Sequence, residues 1–481
     1  MRPAAYVLVP FLLLLGSCGD GGSKSYTPDI EDWERRLGAE QHPQILGEFG
    51  GSYKGDEALY VAAVGERVAA AAGLARQCTF TLVNTDVVNA FAVPGCYIYV
   101  TRGLLGIVNS EAELASILAH EAGHIVADHS ERQQKRSLWR SLGVYAVGLV
   151  TGSENLTRIA GRAAALFTLR YSRKQEYEAD DLGIATMAKA GYDPYAAAAM
   201  FGALARNERF IAQTSGRDEA SSIPEWSRTH PLTENRVGRA RETAVATGFA
   251  EDALPENKAS FLATVDGLLY GDDPEQGFVV GRHFAHPMLS IAFTAPPGFT
   301  LTNSPAAILI EGPDGLRGEF GGGRLPVDGL ETYVSALVAR LLQGAAAEVG
   351  PPSRSLINGV PAVVVAIRAE TEGGAIELSI AAYDGGDGRA HHFIIISPPT
   401  EAADVAITEL FRSFRLLSPR QAAALRPRMI EVVAAGPRDT AASLAARMAT
   451  DHKLPHFLML NGRSASAPLR AGEQVKIVAG R

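Results

Sequence analysis

The run His120-Glu121-Ala122-Gly123-His124 holds the side chains best suited to chemistry in this 481-residue chain. Positions i and i+4 of a helix share a face, so His120 and His124 project side by side. Two imidazoles so placed can hold one zinc ion, and Glu121 beside them can act as general base on water that the metal acidifies. A catalytic zinc site needs a third protein ligand and an open fourth position. The run Tyr171–Asp180, YSRKQEYEAD, supplies the candidates. Glu176 and Asp180 are four apart and share a face, while Glu178 points elsewhere. Glu176 is therefore assigned as the third ligand. Asp180 is assigned as the acceptor that fixes the tautomer and orientation of a ligating histidine. One zinc per chain is expected.

These side chains need elements to aim them. The zinc motif falls in a helix expected from Glu111 to Asp128, opened by a Ser110/Glu113 capping box. Leu114, Ile117, Leu118, Ile125 and Val126 give it an apolar stripe, and Gly123 reads as a point of close backbone approach. Leu166–Ala190, rich in Ala and Leu, reads as a second helix bearing Glu176 and Asp180. Asn89–Val93 and Tyr97–Val100 read as short strands about a Pro94-Gly95 turn, set beside the zinc helix. An exposed strand edge can hold an extended peptide by main-chain hydrogen bonds. Cys78 precedes the strand Thr79–Val83 and Cys96 follows the next one. A hairpin of those two strands would bring the cysteines together as a disulfide, which an exported compartment permits. His129 lies off the ligand face and reads as structural or surface; His42 reads as structural.

HExxH followed by ExxAD on a later helix resembles the zinc metalloproteases of the CAAX-prenyl-protease, HtpX and BepA type. The resemblance covers roughly Trp33 to Thr247. Asn89–Gly95 with Tyr97–Leu105 is similar to the family's substrate-edge region, and Thr229–Arg236 resembles its later His-Pro motif. The resemblance implies a mainly helical gluzincin domain with a small sheet, acting on extended or unfolded polypeptide. It implies that Asn89 contacts the substrate backbone. It also implies that His230, with Arg236, steadies a transition-state oxyanion, or that His230 is a fourth ligand in a closed resting state. A helix-capping role for His230 and Pro231 is the alternative.

The first residues carry a second message. Met1-Arg2, the apolar run Tyr6–Leu15 and the small residues after it mark a secretory signal rather than a spanning helix. Leu15–Cys18 resembles a bacterial lipobox, which implies lipidation of Cys18 and a Gly/Ser tether behind it. Gly19 in place of aspartate leans the sorting towards the outer membrane. The longest later apolar stretch, Leu142–Gly152, is too short to cross a bilayer.

Composition bounds the remainder. A net charge of −8 argues against nucleic acid as partner, and 47% hydrophobic residues support globular cores. The expected organisation is a signal peptide (1–17), a tether (18–32), the protease domain (33–260), an α+β antiparallel-sheet domain (267–418) and a small βααβ domain (427–481). In the α+β domain, Met288–Phe293, Ala306–Glu311, Val360–Arg368, Ile376–Tyr383 and His392–Ser397 read as strands, and Glu331–Leu342 and Ala402–Phe414 as helices. His391 and His392 start a strand and read as structural rather than metal-binding. Met429–Val433, Asp439-Thr440 with Ser443–Ala445, then Leu460-Asn461, Leu469, Gly472 and Val475–Ile477 in the last segment resemble a LysM module, which implies peptidoglycan as a partner. From Pro419 onward it carries ten Lys and Arg against four Asp and Glu, a basic tail on an acidic chain.

The combined reading is a periplasmic, lipid-anchored zinc endopeptidase that degrades misfolded or stalled envelope proteins. Its rivals are a gated, chaperone-like binding factor and a peptidoglycan hydrolase.

Overall fold

The computed structural model describes residues 30–130, 171–214, 225–230, 235–342, 346–371 and 374–480. The lipobox ending at Cys18, most of the tether, Leu142–Gly152 and the first turns of the helix expected from Leu166 lie outside these residues. No helix among the described residues is long and apolar enough to cross a membrane.

The first unit contains α1 (Asp32–Glu48), α2 (Asp56–Ala71), β1 (Thr79–Val83), β2 (Ala90–Val93), β3 (Tyr97–Thr101), α3 (Arg102–Ile107) and α4 (Glu111–Val126). It continues through α5 (Arg173–Lys189), α6 (Ala196–Thr214), α7 (Glu225–Thr229), α8 (Arg236–Ala246) and α9 (Lys258–Val265). At its centre is α4, buried on nearly every side rather than along one stripe, as a helix surrounded by others must be. Ser110 Oγ accepts from the Glu113 N–H at 3.1 Å. Glu113 reaches back one residue further than a capping box requires, to the Asn109 N–H at 2.8 Å. Two glycines let α4 and α5 cross closely. A Cβ on Gly123 would stand 2.8 Å from the Ala179 carbonyl oxygen, and one on Gly183 would stand 3.1 Å from the His120 nitrogen. This contact presses the Glu176/Asp180 face of α5 against the histidine face of α4.

The small sheet runs β1-β3-β2, so β2 lies at an edge. The hairpin expected of β1 with the next strand is not formed. Instead β2 and β3 form the hairpin about Pro94-Gly95, and β1 joins β3 in parallel, with Thr79 opposite Tyr97. Parallel register puts the residues just before β1 and β3 side by side. Cys78 and Cys96 are accordingly disulfide-bonded with Cα atoms 4.5 Å apart. Cys96 sits at φ +60, a backbone region that glycine enters more readily.

Next come β4 (Leu269–Tyr270), β5 (Phe278–Val280), β6 (His283–His286), β7 (Ile291–Thr294), β8 (Thr300–Asn303), β9 (Ile308–Glu311) and β10 (Arg317–Arg324). They are followed by α10 (Leu330–Leu342), β11 (Glu348–Val349), β12 (Ser353–Ile357), β13 (Val360–Thr371), β14 (Gly374–Gly386), β15 (Arg389–Ser397), α11 (Glu401–Arg412) and β16 (Arg415–Leu416). One antiparallel sheet runs β11-β13-β14-β15-β10-β9-β8 with β12 also on β13; a second runs β16-β7-β6-β5. One face of the larger sheet packs on an aromatic core shared with β6, β7 and α11; α10 covers the other. Strand β10 escapes a sequence reading because its Gly321-Gly322-Gly323 run looks like a turn. Its pairing with β15 is nonetheless continuous from Arg317 to Arg324.

The chain ends in α12 (Pro419–Ala424), β17 (Arg428–Ala434), α13 (Ala441–Ala446), α14 (Lys453–Leu460) and β18 (Gln474–Gly480). The last four are in βααβ order, but this unit is not a tethered tail. Ile430 and Met459 join the core of the first unit, as do Phe261, Leu262 and Val265 of α9. Strand β4 completes the sheet β18-β17-β4. Thus the domain expected to end at residue 260 continues through α9, and Leu269–Tyr270 belong with the C-terminal sheet. Lys476, one of the basic residues, is fully buried. Its Nζ donates to the Gly106 and Val108 carbonyls at 2.8 and 2.7 Å, and burial pushes its amine down to about 7.

Candidate metal centre

Two helices and the residue that follows a third supply the donor atoms. His120 and His124 come from α4, Glu176 from the first turn of α5, and His230 follows α7 directly. These four residues place one ligand atom each within 4.8 Å of one another. His120 Nε2 is 3.1 Å from His124 Nε2 and 3.2 Å from His230 Nδ1. Glu176 carboxylate oxygens lie 3.1 Å from His230 Nδ1 and 3.6 Å from His120 Nε2 and from His124 Nε2. Tetrahedral zinc with nitrogen bonds of about 2.0–2.1 Å sets its donor atoms about 3.3 Å apart. The spacing therefore fits such an ion. The lone pairs also call for one: converging imidazole nitrogens cannot all carry protons, whereas one cation satisfies all of them.

The supports of the site are as specific as its donors. His120 Nδ1 lies 2.9 Å from Asp180 Oδ1, which leaves Nε2 to face the centre. Arg236 donates from Nε and Nη2 to the two Asp180 oxygens at 3.0 and 2.7 Å. Its Nη1 is 3.1 Å from Glu176 Oε2, and its guanidinium stands 4.3 Å from the Phe201 ring centre. Arg236 was expected to share the oxyanion role with His230. In this structure it is a buried clamp on Glu176 and Asp180 instead. His129 is not a surface residue: its Nδ1 is 2.9 Å from His124 Nδ1, and its Nε2 is 3.3 Å from Glu178 Oε2. A left-handed turn at Asp128, φ +50, ends α4 and swings His129 back beneath His124. Glu178 points away from the donor set but holds the histidine that orients it. His42 is structural, with Nδ1 2.7 Å from the Tyr99 hydroxyl.

Electrostatics follow the packing. Burial pushes Glu176 upward, but His230, then His120 and Arg236, outweigh it and keep the carboxyl below its usual range. The same balance, with Arg236 and His120 as the opposing groups, holds Asp180 down. Burial raises Glu121; the neighbouring His230 and His120 only partly offset it. A carboxyl shifted this way is a better proton acceptor near neutral pH. Burial acts to lower His230, yet Glu176 and Glu121 raise it overall. His124 is driven well below the usual imidazole range by burial and by its histidine neighbours.

Glu121 and the four donor residues are each only 1–2% exposed. Two rings that the sequence reading did not single out help to cover them. Tyr171 stacks on His124 at 3.9 Å, and Trp226 stacks on His230 at 4.4 Å. Trp226 and His230 are four apart on one helical turn, with the His230 N–H bonded to the Trp226 carbonyl at 2.7 Å; that spacing was the available signal. Nothing comparable marked Tyr171. Glu121 Oε1 lies 3.6 Å from His230 Nε2, and the Ala92 backbone of β2 acts weakly to lower its carboxyl. Asn89 is fully buried just ahead of β2. Its backbone is bonded to Thr101, and its side-chain amide has no hydrogen-bond partner among the described residues.

Residues 56–244 match the model of peptidase family M48. A putative beta-barrel assembly-enhancing protease of Vibrio cholerae is 36% identical over 197 residues, which is 38% of each chain. The mitochondrial metalloendopeptidase OMA1 of Schizosaccharomyces pombe is 30% identical over 218 residues, 44% of this chain and 61% of the relative. The chain thus spans less than two thirds of the length of these relatives. Among solved structures, a PsbP protein of Synechocystis is similar over 29% of this chain and 94% of its own, with 14% identity and a TM-score of 0.24, too low to support an argument.

Proposed function

We propose, from the premise that residues 56–244 form a peptidase family M48 domain, that this chain is a zinc-dependent endopeptidase for misfolded or stalled cell-envelope proteins. The observation that carries the reading is the convergence of His120, His124, Glu176 and His230 beside a raised Glu121. Zinc, when bound there, would supply Lewis acidity towards water and the scissile carbonyl. Glu121 takes the proton of the attacking water and returns it to the leaving amine. Asp180 holds His120, His129 holds His124, and Arg236 holds both carboxylates, so His120, His124 and Glu176 need no rearrangement. Among the described residues β2 lies at the sheet edge, which suits it to an extended peptide, and it packs on α4, which carries the general base. Asn89, buried with its side-chain amide unpartnered among the described residues, is the substrate-contacting side chain of this reading once the site opens. An envelope client is suggested by the name of the Vibrio relative, which ties that protein to beta-barrel assembly. Lipidation at Cys18 would hold the enzyme in the periplasm, at the outer membrane, and the C-terminal βααβ unit would bring it to peptidoglycan.

One observation favours a gated form of this enzyme. His230 completes a four-donor set, and Trp226 and Tyr171 help to bury it, so no donor position faces solvent. In this state His230 acts as a plug, and substrate entry requires its withdrawal. The test is cleavage of casein and of a reduced, unfolded protein by the purified chain with its zinc content measured. About one zinc per chain with cleavage abolished in Glu121→Gln supports the assignment. Faster cleavage by His230→Ala identifies the plug; lost cleavage assigns His230 to the oxyanion. Failure of the folded chain to take up zinc would overturn the ligand set.

A further inference from the structure

The sheet domain contains a cavity of about 590 Å³ between the β10–β15 pair and the smaller sheet. Its lining is graded by strand register. Phe320 is opposite Phe393, Gly322 opposite His391, and Arg324 opposite Arg389. Side chains two apart on a strand share a face. On the face that carries Phe320 and Phe393 into the core, the order outward is therefore two aromatics, a glycine beside a histidine, then two arginines. Only a residue without a side chain fits at Gly322, because the His391 ring closes over its backbone. A Cβ there would meet the Ala390 carbonyl oxygen at 2.9 Å and His391 Nδ1 at 3.0 Å. Phe284 from β6 adds a further apolar wall.

The polar groups point to an occupant. Like charges directly opposite on paired strands repel. Among the described residues, no side-chain ion pair or hydrogen bond reaches the guanidinium of Arg324 or Arg389. His391 is 4% exposed, and its ring nitrogens have no hydrogen-bond partner among the described residues. Glu275 and Asp387 also border the cavity, but only the arginines face each other across a strand pair. A volume of this size is typical of small-molecule sites, and a planar guanidinium pair is matched to a carboxylate.

We propose that this cavity binds an amphipathic carboxylate, its anionic group held by Arg324 and Arg389 and its apolar body against Phe284 and Phe320. The cavity lies outside the metal centre and does not depend on its assignment.

The test is isothermal titration of the full chain with N-acetylphenylalanine, its primary amide and decanoate. Saturable binding is expected for at least one carboxylate. The amide, and the double variant Arg324→Gln/Arg389→Gln with the carboxylate, should bind at least about tenfold more weakly. The double variant should unfold at a temperature no lower than the parent, because it relieves an opposed charge pair. Binding of N-acetylphenylalanine alone identifies a peptide C-terminus as the natural ligand type; binding of decanoate alone identifies an acyl chain. Absence of binding by both carboxylates, equal binding of acid and amide, or unchanged binding by the double variant would each overturn the proposal.

Discussion

Two histidine pairs in this molecule differ in what their spacing means. His120 and His124 sit four apart on a helix, where one turn brings both imidazoles to one point, 3.1 Å apart. His391 and His392 are adjacent on a strand, where successive side chains leave on opposite faces. His391 stacks beside Phe320 in the aromatic core, while His392 turns to the other face, with Nδ1 2.8 Å from the Tyr333 hydroxyl. The nearer pair in sequence is the one that cannot share an ion. Charge separates the regions too. The candidate metal centre buries three carboxylates and clamps two of them with Arg236, whereas the sheet domain holds His391 and His392 well below the usual imidazole range and, among the described residues, leaves two arginines unpaired at a cavity mouth.

The sharpest way to break this comparison is at Glu121. Glu121→Gln keeps the shape of α4 and removes the base, so cleavage should fall by roughly 10²–10⁴-fold while zinc content stays unchanged in elemental analysis. Retained cleavage would remove the catalytic half of the contrast. Arg236→Ala is next. It strands two buried carboxylates, and breaking such a pairing costs about 3–5 kcal/mol, read as a lower midpoint in urea. Arg236→Lys should recover only part of it, since an ammonium cannot bridge both groups.

The sheet domain should answer instead to pH. Burial pushes His391 and His392 down to about 4, below an unfolded value near 6.5. Between those values the unfolded state binds more protons, so stability is full above about 6.5 and is lost as pH falls towards 4. Each histidine contributes on the order of 3 kcal/mol to that loss. Urea titrations at stepped pH should show a shallower decline for His392→Gln; an unchanged slope would show that His392 does not drive it. The smallest expected effect is at His129. His129→Phe removes the partner of His124 Nδ1 but not a ligand, so zinc affinity should drop about 10- to 100-fold in a chelator competition. No change would return His129 to the structural class.

Several of these contrasts were legible before any coordinates. Helix periodicity put His120 and His124 together, and Glu176 and Asp180 on one face, because i,i+4 geometry is fixed by the backbone alone. The Ser110 cap and the strands β2 and β3 could be read in the same way. Other features could not be read, since no local rule encodes them. The role of His129 depends on a left-handed reversal at Asp128. Arg236 meets Glu176 and Asp180 only because α8 packs across α5. Strand β10 was hidden because its glycines are set by the cavity and by close neighbours rather than by strand propensity.

By itself, then, the sequence determined the candidate donors on each helix, the candidate base beside them and the likeness to a metallopeptidase. Tertiary structure decided which elements meet: the parallel β1–β3 register that joins Cys78 to Cys96, the docking of the βααβ unit through buried Lys476, and the arrival of His230 beneath Trp226 as a fourth donor. Spacing along a chain fixes direction only within one regular element. Convergence between elements is set by burial, and the close crossing of α4 and α5 at Gly123 and Gly183 brings two separately readable faces into one site.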